Sequence, residues 1–338
     1  MTLITAWAAH AAGQPLQRHC FDPGPLGPQE VEVAVQHCGL CHSDLSMLDD
    51  EWGQTQWPLV PGHEAVGRVV ALGEQALGLE IGQRVGLGWT ASSCMHCRWC
   101  LGGDQQLCLR AQPTIVGRPG AFADRVRAHW AWVLPLPDAL DPASAGPLLC
   151  GGITVFAPLR DLRIAPTARV GVVGIGGLGH LALQFASAWG CEVTAFSSSS
   201  SKHAEALRLG AHRVVDSTDP AALAAIAGTL DLILYTANAA LDWEALMATL
   251  APRGRLHVVG AVPQPVAVSA FTLIGGAKSV SGSPTGSRGD LEAMLDFAAR
   301  HRIEALVERF PMSGVNDALA HLRAGKARYR VVLDADFD

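Results

Sequence analysis

The sequence predicts an α/β protein in two parts, a β-rich lobe and a doubly wound parallel sheet. Residues 30–37 (EVEVAVQH) alternate apolar and polar side chains, as a half-buried strand does. Past Pro166, short apolar runs alternate with helical patterns, which is typical of a parallel sheet covered by helices. A chain of 338 residues is long enough for two domains with separate cores.

Composition and charge exclude several classes of protein. The formal net charge is −6 and no basic run is present, so we expect no nucleic-acid partner. The first seven residues lack the positive charge that opens a signal peptide. Residues 170–189 are apolar and long enough to cross a bilayer, but their glycine-rich turn predicts a strand and a helix instead, so we expect no membrane. Six of the nine cysteines lie at metal-ligand spacings, which favours a reducing cytoplasm.

The first half of the chain predicts a β-barrel-like lobe with long loops. Its further predicted strands, separated by Gly and Pro turns, are 66–72, 83–87 and 123–133. Asp141 as a cap and Pro142 as the first helical residue predict a helix that carries Cys150 toward Phe156.

The doubly wound sheet is predicted from residue 169 onward. Its predicted strands are 169–174, 192–196, 214–215, 232–235 and 255–259, with a helix over 178–189. Two amphipathic helices, 291–300 and 315–323, and a strand at 329–333 follow, and we expect this tail to return to the first lobe. The apolar, strand-like segment 266–280 favours a homodimer formed by edge pairing of two sheets.

Four cysteines lie within fifteen positions at the spacing Cys-x2-Cys-x2-Cys-x7-Cys. Four thiolates without an open position are the ligand set of a structural zinc ion, and a loop this poor in apolar residues depends on such an ion to fold. An iron–sulfur cluster or four free thiols are the alternatives. The residues are Cys94, Cys97, Cys100 and Cys108.

A second group of metal-binding side chains is spread over the first 150 residues. Cys41, His63 and Cys150 offer two thiolates and an imidazole, and Glu64 follows His63 directly. Three protein ligands leave a catalytic zinc ion an open position for water or substrate.

A glycine-rich turn follows the first strand of the predicted parallel sheet and opens a helix. Residues 174–179 (GIGGLG) hold Gly-x-Gly-x-x-Gly, which permits a tight turn, close approach to a pyrophosphate and close helix–strand packing. The helix N-terminus supplies N–H donors to the phosphates. The predicted cofactor-binding residues of this turn are Gly174, Gly176, Gly177, Leu178 and Gly179.

The second strand of that sheet ends in SSSSSK, with no acid at its tip. An acid there would hold the ribose hydroxyls of NAD, whereas hydroxyls and a lysine can bind a 2′-phosphate. The segment therefore predicts NADP(H), and a flexible serine linker is the alternative. The residues concerned are Ser197, Ser198, Ser199 and Lys202.

In this order, the motifs resemble those of the zinc-dependent medium-chain alcohol dehydrogenases over essentially the whole chain, and within them the cinnamyl-alcohol-dehydrogenase type and bacterial NADP-dependent aldehyde reductases. The resemblance implies a GroES-like catalytic domain over residues 1–150 and 287–338 and a Rossmann dinucleotide-binding domain over 151–286. It implies two zinc ions per chain: a structural ion on the four-cysteine loop, and a catalytic ion on Cys41, His63 and Cys150.

The resemblance also implies roles for single residues. Ser43 would be the proton-relay hydroxyl, and Glu64 a neighbour of the zinc ion or its alternative ligand during exchange. Relatives often carry a relay histidine five residues after the first cysteine, where this chain has Ser46. The further cofactor-binding residues implied are His42, Thr154 and Arg330, with Arg328 as the alternative to Arg330 at the pyrophosphate.

The implied function is hydride transfer between NADP(H) and a primary alcohol or aldehyde, chiefly as an aldehyde reductase. A polyol or secondary-alcohol dehydrogenase is the alternative enzyme, and a zinc-binding redox protein without catalysis is the alternative of another class. Trp52 and Trp89 flank the zinc motifs and are expected to line the substrate channel, with ordinary core packing as the alternative.

Overall fold

The structure is a computed structural model that describes residues 3–337. The chain divides into two compact units: the first comprises Met1–Cys150 and Ser287–Asp338, and the second Gly151–Gly286. Met1 and Thr2, which open the stretch inspected for a signal peptide, lie outside the described residues.

The first unit is built on a mostly antiparallel sheet. The strands of this unit are β1 (Ile4–Ala8), β2 (Gln17–Phe21), β3 (Glu30–Leu40), β4 (Ala65–Leu72), β5 (Arg84–Leu87), β6 (Thr90–Ser92), β7 (Gln112–Pro113), β8 (Arg125–His129), β9 (Val133–Pro135), β16 (Val307–Pro311) and β17 (Arg330–Asp334). The seven-stranded sheet has the order β16-β17-β3-β4-β5-β9, with β8 also paired to β3. Because β17 pairs with β3, the tail returns to the first lobe, as predicted.

Within residues 3–337, the first unit also contains five α-helices. They are α1 (His42–Leu48), α2 (Arg98–Leu101), α3 (Pro142–Pro147), α10 (Arg288–His301) and α11 (Val315–Arg323). The side chain of Asp141 caps α3 by accepting the N–H of Ser144 at 2.9 Å, as its position before Pro142 predicts.

The second unit is a six-stranded parallel sheet of order β12-β11-β10-β13-β14-β15. Its strands are β10 (Arg169–Val173), β11 (Glu192–Phe196), β12 (Arg213–Val215), β13 (Leu230–Tyr235), β14 (Leu250–Val258) and β15 (Ser279–Gly282). Its helices are α4 (Ile153–Asp161), α5 (Gly179–Trp189), α6 (His203–Arg208), α7 (Pro220–Ala224), α8 (Trp243–Thr249) and α9 (Ala270–Gly276). The strand order reverses between β10 and β13, and ligands of doubly wound sheets bind at such a switch point.

Apolar helical stretches are part of the core. Within residues 3–337, one helical stretch, Pro142–Asp161, is long and apolar enough to cross a membrane, and 94% of its most apolar window is buried inside the protein. The stretch 170–189, also long enough to span a bilayer, forms β10, the glycine turn and α5 instead.

Two predicted strands are wrong in part. The predicted strand 123–133 is interrupted by a 3-10 turn at Trp130–Trp132, because the Nδ1 atom of His129 accepts the N–H of Ala131 at 3.1 Å and turns the chain. The segment 266–280 forms the helix α9 at its centre, Ala270–Gly276, and only its last two residues enter β15. Ser269 caps α9 by accepting the N–H of Phe271 at 3.2 Å, a local bond that overrides the strand-like pattern.

Candidate functional site

Cys41, His63, Glu64 and Cys150 form a buried cluster in the first unit. Their ligand atoms all lie within 4.8 Å of one another, and the Sγ atoms of Cys41 and Cys150 are 4.0 Å apart. Two thiolates bound to one tetrahedral zinc ion at about 2.3 Å lie about 3.8 Å apart. The spacing of the two sulfur atoms therefore fits a single ion.

Three different backbone features place these side chains. Cys41 caps the start of α1 directly after β3. His63 follows Gly62, whose φ is +96° and whose Cβ, if present, would lie 2.7 Å from the backbone nitrogen of Phe122, so only glycine fits there. Cys150 lies in a π-helical turn, Leu148–Gly152, between α3 and α4. Such widened turns occur frequently at functional sites.

Asp44, to which the sequence analysis assigned no role, holds this cluster in position. Its Oδ1 accepts the N–H of Gly62 at 2.9 Å and lies 3.1 Å from Nδ1 of His63, and its Oδ2 accepts the N–H of Cys41 at 2.9 Å. Burial lowers the pKa of His63, but the charge and hydrogen bond of Asp44, together with those of Cys41, outweigh burial and raise that pKa well above its usual value. The acid three residues after Cys41, where a capping box has one, is the signal that could have found it.

The other ring nitrogen of His63 is left for a ligand. With Nδ1 facing Asp44, Nε2 is buried and has no hydrogen-bond partner among residues 3–337. Buried polar atoms are rarely left unsatisfied, and a metal-binding histidine commonly turns its second nitrogen to a carboxylate. The cluster therefore has the donor arrangement of a metal site.

Glu64 and Arg330 form a buried ion pair beside the cluster. Arg330 is only 4% exposed, and its Nη2 donates to Oε1 of Glu64. Burial raises the pKa of Glu64 to about 7, although the charge of Arg330 lowers it. Within the described residues, Nε of Arg330 has no partner. Its contact with a pyrophosphate stays a prediction.

The remaining site residues predicted near the zinc motifs lie on two helices. His42 and Ser43 open α1, and the Oγ of Ser43 is 3.8 Å from the Sγ of Cys41. Ser46, at the position of the relay histidine, is buried and donates its hydroxyl to Oε2 of Glu51 at 2.6 Å. Thr154 lies in α4 of the second unit and is buried. The catalytic and cofactor-binding roles of these residues stay predictions.

Two tryptophans extend outward from the cluster. The ring of Trp89 packs edge-on against His63 with 5.0 Å between centroids. The ring of Trp52 packs edge-on against Trp89 at 6.1 Å. The two rings together therefore form a continuous aromatic surface that begins at His63 of the metal cluster.

The four-cysteine loop forms a second candidate metal site. The thiol sulfurs of Cys94, Cys97, Cys100 and Cys108 lie within 4.8 Å of one another, and those of Cys94 and Cys100 are 3.9 Å apart. This spacing again fits one tetrahedral ion, whereas a four-iron cluster attaches each thiolate to a different iron.

Backbone N–H groups prepare this loop for thiolates. The N–H of Cys97 donates to the Sγ of Cys94 at 3.3 Å, and that of Arg110 donates to the Sγ of Cys108 at 3.4 Å. The backbone of His96 is the main reason that the pKa of Cys94 is lowered to about 5. Nε1 of the buried Trp132 donates to Oγ of Ser93 at 3.3 Å and ties the loop to the core.

The glycine-rich turn lies between β10 and α5, at the switch point of the second unit. Gly174 has a φ of +88°, and a Cβ on Gly179 would lie 2.0 Å from the carbonyl oxygen of Gly174. A Cβ on Gly176 would meet no atom within 4 Å, so the turn is open on that side. No side chain caps α5. The N–H groups of His180 and Leu181 donate to the carbonyl oxygens of Gly176 and Leu178 at 3.0 and 3.1 Å, so a phosphate would be bound by the N–H groups of the glycine turn that precede them.

The serine segment meets the glycine turn. Val173 and Phe196 are register partners, so Ser197 follows β11 beside the residue that follows β10. The Oγ of Ser197 accepts the N–H of Ser199 at 3.2 Å, and Nζ of Lys202 donates to the carbonyl oxygen of Ile175 at 3.0 Å. Ser198 is exposed. An ammonium and several hydroxyls are thus gathered at the tip of β11.

Comparisons with known proteins agree with this arrangement. Residues 27–138 match the model of the alcohol dehydrogenase GroES-like domain, and residues 177–300 match that of zinc-binding dehydrogenases. The chain is 54% identical to the aldehyde reductase AdhA of Synechocystis over 331 residues, which cover 98% of each chain.

Solved structures show the same fold. The cinnamyl alcohol dehydrogenase of Sorghum bicolor superimposes with a TM-score of 0.94 at 38% identity, covering 98% of both chains. The CAD from Helicobacter pylori, complexed with NADP(H), superimposes with a TM-score of 0.90 at 28% identity, again over 98% of both chains. The chain therefore belongs to the zinc-dependent medium-chain alcohol dehydrogenase family, in its cinnamyl-alcohol-dehydrogenase and aldehyde-reductase branch.

Proposed function

We propose that this protein is a zinc-dependent, NADP(H)-preferring oxidoreductase that acts chiefly as a reductase of primary aldehydes. The observation that carries the proposal is the buried set of Cys41, His63 and Cys150, in which Nε2 of His63 has no partner among the described residues and the sulfur spacing fits one ion. The aldehyde reductase of Synechocystis supports the substrate class. All nine cysteines are free of disulfides, which supports a cytoplasmic location.

The residues of the site have separable tasks. Cys41, His63 and Cys150 would hold a zinc ion, which supplies Lewis-acid polarisation of the carbonyl, and NADPH supplies the hydride. The two thiolates of Cys41 and Cys150 would offset the charge of a bound zinc ion, which weakens its hold on an anionic oxygen. Asp44 keeps the proton of His63 on Nδ1, 3.1 Å away, and leaves Nε2 as a donor of electrons. Ser43 places a hydroxyl beside Cys41, where it can give a proton to the substrate oxygen.

An assay of NADPH consumption tests the proposed function. We expect hexanal, benzaldehyde and cinnamaldehyde to be reduced, with higher kcat/KM than mannitol or 2-butanol shows in the reverse direction with NADP+. Faster oxidation of mannitol or of the secondary alcohol would assign the enzyme to the alternative class. A zinc-loaded protein without turnover of any of these compounds would be a binding protein.

We expect the two tryptophans to set the aldehyde preference. Because Trp89 packs on His63 and Trp52 on Trp89, Trp89→Ala and Trp52→Ala widen the space beside the proposed metal site. The preference for benzaldehyde over a bulky ketone such as acetophenone should fall by about tenfold. The measurement is kcat/KM across the panel, with Trp130→Ala as a control tryptophan of the first unit. An unchanged ranking in both variants means that these rings are ordinary core.

We expect two zinc ions per chain, of which one belongs to the four-cysteine loop. Cys97→Ser should reduce the zinc content from about two to about one and lower the unfolding temperature by about 5 °C or more, because the loop depends on its ion to fold. Elemental analysis and thermal unfolding measure both effects. Cys20→Ser, which removes an exposed cysteine outside both clusters, should change neither. One zinc per wild-type chain with full activity contradicts the assignment.

We propose that the protein is a homodimer formed at the edge of the second unit. Within the described chain β15 pairs only with β14, and α9 exposes Phe271 (86%) and Ile274 (75%) on one face. Glu244 holds the opposite side of α9 through the hydroxyl of Thr272 at 2.6 Å. Light scattering should show a dimer that becomes a monomer in Phe271→Asp/Ile274→Asp. Leu77→Asp, another exposed apolar position, is the control, and a monomeric wild type rejects the proposal.

A further inference from the structure

The first unit has a cavity whose lining contains none of the residues of the two metal clusters. It has a volume of about 370 Å³. Its walls are the turn before β3 with the first residue of that strand, the turn after β4, single residues of β6, β7 and β8, and Arg118 from the loop between β7 and β8. The polar side chains that line it are Gln29, Glu30, Gln75, Ser92, Gln112 and Arg118, together with His129.

The backbone of this cavity is held rigidly. The N–H of Glu30 donates to Gly27 O at 3.0 Å, and that of Gln75 donates to Pro28 O at 2.8 Å. On the other side, the N–H of Trp130 donates to Gln29 O at 2.9 Å. A ligand would therefore meet a preformed wall, and little ordering of the chain would oppose binding.

Two side chains of the cavity, those of Arg118 and His129, can donate hydrogen bonds. Nε of Arg118 is buried without a hydrogen-bond partner among the described residues, while its Nη2 donates to the carbonyl oxygen of Arg127. Nδ1 of His129 accepts the N–H of Ala131 at 3.1 Å. Burial, aided by the charge of Arg288 and opposed by that of Glu30, lowers the pKa of His129. Because Nδ1 accepts the N–H of Ala131, the proton of the neutral ring is on Nε2.

One acceptor accompanies these donors. Glu30 binds the N–H of Gly27 through Oε2 at 2.8 Å. Glu30 and Arg118 attract each other, yet they form no ion pair within the part of the chain that the structure describes. The lining thus presents one guanidinium, one carboxylate, a neutral imidazole, three carboxamides and one hydroxyl.

We propose that this cavity binds a small hydroxycarboxylate. Its carboxylate accepts hydrogen bonds from Arg118 and His129, and its hydroxyl donates to Glu30. A charged acceptor matches the guanidinium of Arg118 better than a neutral sugar would. Glu30 repels inorganic phosphate as it repels malate, but the hydroxyl of malate stands apart from its carboxylates and gives Glu30 a donor. The site is separate from the proposed reaction, so its occupant is neither the aldehyde nor the cofactor.

Calorimetric titration of the zinc-loaded, full-length enzyme with L-malate tests the proposal. At constant ionic strength and with saturating NADP+, malate should bind with a dissociation constant of about 1 mM. Succinate, which lacks the hydroxyl, should bind about fivefold more weakly, and inorganic phosphate more weakly still. Arg118→Met should weaken malate binding by about tenfold or more. Glu30→Gln should remove the preference for malate over succinate.

The controls separate this site from other anion-binding surfaces. Arg68→Met removes a guanidinium of β4 that donates to Gly82 O and should leave malate binding unchanged. If Arg118→Met does not fold, Gln112→Leu at the exposed rim replaces it, with an expected loss of about threefold. The proposal is overturned if malate does not bind, if phosphate binds as well as malate, if NADP+ displaces malate, or if the pocket variants bind like the wild type.

Discussion

Replacing Cys41 by serine is expected to lower kcat/KM for aldehyde reduction by about a thousandfold or more, because Lewis-acid polarisation of the carbonyl contributes several kcal/mol to the transition state. The thiol of Cys41 is the atom concerned: it lies 4.0 Å from that of Cys150 in the same cluster. Hydrogen bonding from Cys150 lowers the pKa of Cys41 well below its usual value, and the charge of Arg330 assists against the effect of burial. The fold is expected to survive, since Cys41 begins a helix whose other cap bonds come from Asp44.

Three measurements on Cys41→Ser decide this prediction together. NADPH consumption gives turnover, elemental analysis should fall from about two zinc ions to about one, and thermal unfolding should stay close to the wild type. Cys97→Ser should show the converse pattern: a lower unfolding temperature, with turnover retained while the enzyme is folded. The matched control is Cys38→Ala, which removes another buried cysteine of β3 that belongs to neither cluster. Wild-type turnover in Cys41→Ser contradicts the catalytic assignment, and so does an equal loss in the control.

Periodic patterns made most of the fold predictable. The alternation at residues 30–37 lies within β3, and the predicted apolar runs of the second half end within one residue of the ends of β10, β11, β12, β13 and β14. Short-range bonds explain the two failures. His129 caps the turn at Ala131, and Ser269 caps α9, so local hydrogen bonds prevail where apolar side chains alone suggest a strand. Serine and histidine occur in strands as well as at caps, so periodicity alone could not show these two caps.

The side chains that form the two metal clusters could be predicted from the sequence, but the residues that hold them in position could not. Cysteine and histidine spacing indicated both groups of side chains that the structure brings together. The pairing of Glu64 with Arg330 joins residues 266 positions apart, which no local pattern contains. The π-helical turn at Cys150 likewise has no signature in the residues 148–152. Such features need the tertiary structure because they depend on contacts between distant segments.

Cofactor preference is the second large effect, and it depends on the tip of β11. The structure places Ser197 beside the glycine turn, because Phe196 is paired with Val173, and it holds Nζ of Lys202 3.0 Å from Ile175 O within that turn. The acid that binds the ribose hydroxyls of NAD would stand at this tip, but the nearest acid of β11, Glu192, lies at the opposite end of the strand. The related CAD from Helicobacter pylori has been solved with NADP(H). We therefore expect NADPH to be preferred over NADH.

The variant Ser197→Asp/Lys202→Ala should shift the ratio of kcat/KM for NADPH over NADH toward NADH by at least about tenfold. Losing a charge-assisted contact to a phosphate costs about 1.5–3 kcal/mol, which is about one to two decades in affinity, and the new carboxylate repels the 2′-phosphate. Lys326→Ala, which removes an exposed lysine of the first unit, is the control for net charge and should keep the wild-type ratio. A wild type with equal kcat/KM for both cofactors contradicts the assignment. A variant that loses both activities equally identifies the serine segment as a linker that supports the fold, since a 2′-phosphate site must discriminate between two cofactors that differ only in that group.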